Sequence, residues 1–144
     1  MKLSLVFTSL AVLLTSVHAH LSVTFDTTYD NAAQSLNTVA CSNGPNGLES
    51  HGFTTFGSLP TFPFIGGAPA VTGFDSPNCG TCWELTYVDP QGNSTYINIL
   101  AIDVATPNFN IALEAMNVLT DGQATFLGKA PVTAVQVNSS VCGL

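Results

Sequence analysis

Arginine is absent from this chain, and lysine stands only at Lys2 and Lys129 against nine acidic side chains, for a formal charge of −7 at pH 7. A cationic patch, the electrostatic footprint of a nucleic-acid or acidic-lipid ligand, therefore cannot be assembled. Charged residues make up 8% of the sequence while 46% is apolar. The polar surface must then come from Ser, Thr, Asn and Gly, which suits neutral polar partners such as sugars. Beyond Leu14 no stretch reaches the roughly eighteen apolar residues of a membrane helix. The C-terminal VNSSVCGL reads neither as a lipid-anchor tail nor as a prenylation box, since Cys142 stands one place too late.

The one long apolar run lies at the start. Lys2 is followed by Leu3 to Leu14 and then by TSVHAH, with Val17 and Ala19 in the small-residue positions of a signal-peptidase site. Residues 1–19 read as a secretory leader, leaving residues 20–144 as one extracellular domain. In an oxidising compartment the four cysteines read as two disulfides. Three pairings are open. Joining Cys79 to Cys82 within SPNCGTCWEL closes a very short loop, for which chain entropy gives about 2 kcal/mol. Pairings such as Cys41 with Cys79 and Cys82 with Cys142 close long loops at about 4 kcal/mol each. Thioredoxin-type chemistry would need a βαβ context, and a zinc site would need a second close pair of cysteines or paired histidines. Neither is visible. Two structural crosslinks meeting at residues 79 and 82 are the expected arrangement.

Along the chain, LSVTF (21–25) alternates as a strand, and SLNTVACS (35–42) reads as a short helix running into a crosslink. Residues 43–77 hold most of the glycines and prolines, with Phe53, Phe56, Phe62, Phe64 and Phe74 interspersed. Aromatics at that density indicate packed irregular chain with short strands, not a disordered linker. WELTYV and STYINILAID flank the turn residues DPQGN as a hairpin. Asn93 and Asn138 begin glycosylation sequons. NIALEAMNVLTDG (110–122) reads as the one long helix, with Ile111, Ala112, Ala115, Met116, Val118 and Leu119 on one side, Asn108 or Asn110 as its cap, and Gly122 at its end. QATFL and APVTAVQV read as closing strands. Many short strands with one helix suggest a small β-barrel.

The stretches YDNAAQSLNTVACSNGPNGL (29–48), GFTTFGSLPTFPFIGGAPAVTGFDSPNCGTC (52–82) and AIDVATPNFNIALEAMNVLTDGQATFLG (101–128), with the terminal VCGL, resemble the cerato-platanin family of small secreted fungal proteins. The resemblance covers nearly the whole chain after the leader. It implies a mainly β fold, a six-stranded double-psi β-barrel with disulfides Cys41–Cys79 and Cys82–Cys142. It also implies a non-enzymatic protein of the cell wall and culture fluid that binds N-acetylglucosamine oligomers and elicits plant defence, with direct contact to a plant host receptor left open. Some members loosen cellulose as expansins do. No cofactor is implied.

The same resemblance carries Asp103, Asn110, Ser42 and Asn43 over as carbohydrate contacts. Asp103 ends YINILAID in phase with Ile97, Ile99 and Ala101, so its carboxylate should emerge at the barrel rim if those three face inward. Barrel-type endoglucanases and expansins carry an Asp where NFNIA places Asn110. An inverting glycosidase needs a carboxylic acid opposite a second carboxylate, and an amide cannot give up a proton at neutral pH. Nothing in the sequence pairs Asp75 or Glu84 as substitutes. Phe53, where many relatives have Trp, and Trp83, alternating with Leu85 and Tyr87, read as packing. Two other classes compete. Cleavage after Ala19 would leave His20 first, the start of a copper brace that His51 could complete in a polysaccharide monooxygenase. Low charge alternatively suits a monomer that self-assembles as a film at interfaces, although hydrophobins use a larger cysteine set.

Overall fold

The computed structural model describes residues 21–144, so the expected leader and His20 lie outside the described residues. Six strands close into a barrel in the order β1-β5-β2-β4-β3-β6. They are β1 (Leu21–Phe25), β2 (Ile65–Ala68), β3 (Cys82–Val88), β4 (Ser94–Val104), β5 (Phe109–Ile111) and β6 (Lys129–Val137). Two short helices, α1 (Leu113–Leu119) and α2 (Ala124–Leu127), and several 3-10 turns join them. The pairs β1–β5 and β2–β4 are parallel; the remaining pairs are antiparallel. This is the closed six-stranded barrel expected above, with strands of mixed direction.

The hairpin forms where alternation and turn chemistry agree. β3 and β4 pair from Cys82↔Leu100 to Val88↔Ser94. Between them the Asp89 carboxylate accepts the main-chain N–H groups of Gln91 (2.9 Å) and Asn93 (2.8 Å) and the Asn93 side-chain amide (2.8 Å). Those bonds, the Asn93 side chain first, hold the Asp89 carboxyl below its usual pKa. Inside the barrel Val23, Leu85, Ile99, Phe109 and Ile111 are fully or almost fully buried. Trp83 is half-buried, its ring meeting Phe109 edge-on at 5.7 Å and its Nε1 donating to Thr81 Oγ1 at 2.9 Å. Phe53 packs against the same core. Both aromatics therefore serve packing.

The crosslinks are Cys41–Cys79 and Cys82–Cys142, with no free cysteine among the described residues. They tie the irregular segment before β2 and the C-terminal turn to the barrel. By chain entropy, sequence separations of 38 and 60 residues correspond to about 4 kcal/mol each.

Three local expectations need correction. The helix predicted from Asn110 begins at Leu113, because Phe109–Ile111 is drawn into β5 between β1 and β2. Neither Asn108 nor Asn110 caps it. Ala112 holds the N-cap position without a capping side chain, and Asp30 supplies the acceptors instead, taking the N–H groups of Leu113 (2.8 Å) and Glu114 (2.9 Å). A carboxylate there also opposes the helix dipole favourably. On α1, Ala115, Met116 and Leu119 are buried as predicted, but Val118 is 53% exposed and Leu113 is partly buried. Second, QATFL contributes α2 and not a strand, and its Phe126 is 87% exposed. Third, the helix expected within 35–42 is a single 3-10 turn, Leu36–Thr38.

Candidate functional site

Asp103 and Asn110 are brought to one level of the barrel by a register shift. Gly66 pairs with Ala101 and Ile111, but Gly67 pairs with Asp103 and Asn110, so Ile102 is skipped. Asn110 pairs in turn with Thr24, and Thr24 with Lys129. Asp103, Gly67, Asn110, Thr24 and Lys129 thus form one row across five strands. Two strand spacings place the Asp103 and Asn110 backbones roughly 10 Å apart. The row requires glycine at its centre. A Cβ on Gly67 would fall 2.7 Å from the Ala105 Cβ and 2.9 Å from the Val104 carbonyl oxygen.

The two side chains face different surroundings. Asn110 is half-buried, and its Oδ1 accepts the Thr24 hydroxyl at 3.0 Å. Both residues line a cleft of about 290 Å³ shared with Ser22, Thr106, Asn108 and Lys129. Asn108 Oδ1 accepts the Ser22 N–H at 3.0 Å, while the buried Ser22 Oγ has no hydrogen-bond partner in the protein. The polar lining of this cleft is hydroxyl and amide, with one ammonium and no carboxylate.

Asp103 does not line that cleft. Its Oδ2 accepts the Tyr29 hydroxyl at 3.1 Å, and its Oδ1 accepts the N–H groups of Ala40 (3.1 Å) and Val104 (2.8 Å). The carboxylate therefore ties the end of β4 to the 29–40 segment. Tyr29 is 6% exposed. Burial, then the neighbouring Asp103 charge and hydrogen bond, then the charge of Asp26, raise the Tyr29 pKa far above its ordinary 10.0. Asp26 thus lies within electrostatic reach of this cluster. Its importance, and that of Tyr29 and Thr24, was not read from the sequence. The alternation of LSVTF, continued through the extended Asp26, was the signal that could have placed Thr24 and Asp26 together.

The other expected contacts lie beside this region. The Cys41 N–H donates to the Ile102 carbonyl at 3.0 Å, so Ser42 and Asn43 leave the barrel next to Asp103. Ser42 is 4% exposed and its carbonyl accepts the Glu49 N–H at 3.1 Å; Asn43 is exposed. Asp75 is occupied elsewhere, accepting the Asn46 N–H at 2.7 Å. Glu84 pairs across from Asn98 on the barrel wall. Asn93 and Asn138 are both exposed, and the Asn138 Oδ1 accepts the Ser140 N–H at 3.0 Å. His51 is exposed on a 3-10 turn. Among the described residues no group of three or more His, Cys, Asp or Glu is placed to hold a metal ion.

Comparison with known proteins agrees with this barrel. A model of the cerato-platanin family matches residues 21–144. The Aspergillus fumigatus protein named Allergen Asp f 15 is 48% identical over 121 residues, spanning 84% of this chain and 76% of that one. The crystal structure of cerato-platanin 2 from M. perniciosa superimposes with a TM-score of 0.82 at 51% identity, covering 88% of this chain and 100% of that one. The solution structure of the fungal elicitor cerato-platanin gives a TM-score of 0.73 at 41% identity, covering 85% and 96%. With a family match over every described residue and the same barrel in its relatives, this chain belongs to the cerato-platanin family.

Proposed function

We propose that this is a secreted, non-catalytic, cell-wall-associated protein that binds N-acetylglucosamine oligomers along the Asn110 cleft. An expansin-like loosening of polysaccharide and the elicitation of plant defence belong to the same reading; the cerato-platanin solved in solution is itself described as a fungal elicitor. The observation that carries the proposal is the cleft's chemistry. Ser22, Thr24, Thr106, Asn108 and Asn110 offer the hydroxyl and amide groups that pair with sugar hydroxyls and acetamides, and no carboxylate lines the cleft to act as acid or base. Asp103 stands at the end of the same row, where one further hydrogen bond to its Oδ2 can extend the site. The low charge and the two disulfides suit an extracellular protein.

One observation bears on a hydrolytic reading: the Tyr29 hydroxyl donates to the Asp103 carboxylate at 3.1 Å, with Asp26 within electrostatic reach of Tyr29. Both carboxylates already serve main-chain donors, Asp26 accepting the Thr28 N–H at 2.8 Å and Asp103 those of Ala40 and Val104. The deciding experiment titrates wild type, Asn110→Ala and Asp103→Asn with N-acetylglucosamine oligomers, and assays reducing ends released from chitin and cellulose by the same samples. Asn110→Ala should weaken binding about tenfold, the loss of one or two hydrogen bonds, with no reducing ends from any sample. Turnover by wild type that Asp103→Asn removes would establish an enzyme instead. Unchanged affinity in Asn110→Ala would remove the cleft from the function.

A further inference from the structure

The two glycosylation sequons have no part in the Asn110 cleft, and the fold treats them differently. Asn93-Ser94-Thr95 starts at the tip of the β3–β4 hairpin, where Pro90 to Ser94 are all exposed. The turn is closed by its own bonds. The Asp89 N–H donates to the Asn93 carbonyl and the Gly92 N–H to the Asp89 carbonyl, both at 2.9 Å. The Asp89 carboxylate takes the remaining donors of the turn. Among the described residues, none outside the hairpin is hydrogen-bonded to residues 89–93, so bulk added at the tip breaks no bond to the rest of the fold.

The Asn93 amide is presented and not used up by the turn. One Nδ2–H donates to Asp89 Oδ2 at 2.8 Å, and the other has no partner in the protein. In N-linked transfer the bond from Nδ2 to the sugar C1 forms, and the bond from C1 to the diphosphate of a lipid-linked oligosaccharide donor breaks. One Nδ2 proton leaves. The linked nitrogen keeps its second N–H, so the bond to Asp89 survives the modification. Ser94 and Thr95 open β4, which leaves this sequon extended, its Thr95 hydroxyl two residues beyond the acceptor amide. The second sequon is wound up. Asn138 is the N-cap of the 3-10 turn Ser139–Cys142, and its Oδ1 accepts the Ser140 N–H. The carbonyls of Asn138, Ser139 and Ser140 accept the N–H groups of Val141, Leu144 and Gly143. Cys142 is fully buried and crosslinked to Cys82, so once that bridge closes the segment cannot open to enter a transferase.

We infer that Asn93 carries an N-linked glycan in the secreted protein and that Asn138 is left bare. Transfer needs entry into the secretory route, so this inference rests on the extracellular reading proposed above. Position also decides what each glycan would cover. Ser94 and Asp103 lie toward opposite ends of β4, roughly 30 Å apart along the strand. A glycan on the hairpin tip therefore leaves the Asn110 cleft open. Val137 pairs with Cys82 and Cys82 with Leu100, so a glycan on Asn138 would stand at the Asp103 end of the barrel.

The full chain is expressed in a yeast, collected from the medium, reduced and cut with chymotrypsin. Its peptides are mapped by mass spectrometry before and after enzymatic deglycosylation in heavy-oxygen water. The peptide holding Asn93 should carry N-acetylhexosamine and hexose on most molecules, and deglycosylation should convert its asparagine to labelled aspartate. The peptide holding Asn138 should be unmodified throughout. Asn93→Gln, and Thr95→Val with its hydroxyl removed, should each abolish the glycan and still be secreted. An unmodified Asn93 in protein from the medium, or a glycan on Asn138, overturns the inference. A chain retained in the cell with residues 1–19 uncut would refute the secretory reading and the glycan with it, whereas a bare Asn93 in the medium refutes the glycan alone. No ligand enters this assay, so it is independent of what the Asn110 cleft binds.

Discussion

Asp103→Ala is expected to unfold this protein more readily as well as to alter binding, and the size of that effect follows from the groups it strands. The carboxylate accepts from Tyr29, Ala40 and Val104. The Val104 N–H is one residue away at the strand end, where water can replace the lost bond. Tyr29 is 6% exposed and the Ala40 N–H is part-buried, so both would be left without an acceptor. Each stranded donor costs about 1–3 kcal/mol, giving a loss of about 2–6 kcal/mol from a total that for most domains is about 5–15 kcal/mol. Asp103→Asn keeps an acceptor for Ala40, and the Tyr29 hydroxyl can turn to accept from the new amide, so it should lose only about 1 kcal/mol. Tyr29→Phe should cost a similar amount. Urea unfolding of the three variants and of the Tyr29→Phe, Asp103→Ala pair measures these values, and the double-mutant cycle isolates the Tyr29 contact. An Asp103→Ala protein within about 0.5 kcal/mol of wild type would refute the anchoring role. A lower sugar affinity of that variant could then be read as a lost contact, without correction for a released loop.

The remaining predictions test other joints of the fold. Asp30→Ala should destabilise the protein by about 1–2 kcal/mol, since it removes both acceptors at the start of α1, and Asp30→Asn should lose less; thermal unfolding decides. Because the folded-state pKa of Tyr29 is raised, its contribution to stability is fully present below the ordinary 10.0 and is lost as pH rises beyond it. Urea midpoints measured between about pH 9 and 12 should therefore fall, and less steeply in Tyr29→Phe. Reduction of both disulfides should lower stability by several kcal/mol on the loop-entropy argument, seen as a large drop in melting temperature relative to the oxidised protein.

Much of the barrel is legible in the sequence because its signals are local. LSVTF alternates, WELTYV and STYINILAID surround a turn rich in Asp, Pro, Gly and Asn, and the cysteines favour long loops whichever long pairing is chosen. The helix boundary was not legible for a physical reason. Ile111, Ala112, Ala115, Met116 and Leu119 satisfy the helical period, yet the first two are buried by strand pairing and by the turn into the helix, and only the last three by α1 itself. Burial alone cannot say which element provides it. QATFL shows the converse case. Thr125 and Phe126 carry strand preference, but both are exposed, and the Leu127 and Gly128 N–H groups bond back to Gln123 and Ala124. Propensity without a neighbouring strand did not decide the outcome.

The site was legible in residue type and not in role. A lone acidic residue ending an apolar strand can bind a ligand, act in catalysis or anchor a loop, and sequence order distinguishes these only when the partners are near. The anchors of Asp103 lie 74 and 63 residues away, at Tyr29 and Ala40. Phase counting along YINILAID places its carboxylate at the rim, but the shift opposite Gly66 and Gly67 selects which row it joins. That shift depends on two adjacent glycines, because a Cβ on either would meet backbone or Ala105. GG in IGGAPAV is therefore a part of the site that carries no chemistry of its own. It lets β2 lie close enough to β4 and β5 for an amide cleft and an anchored carboxylate to share one level of the barrel. Binding by the cleft and stability through the anchor can then be altered separately, at Asn110 and at Tyr29.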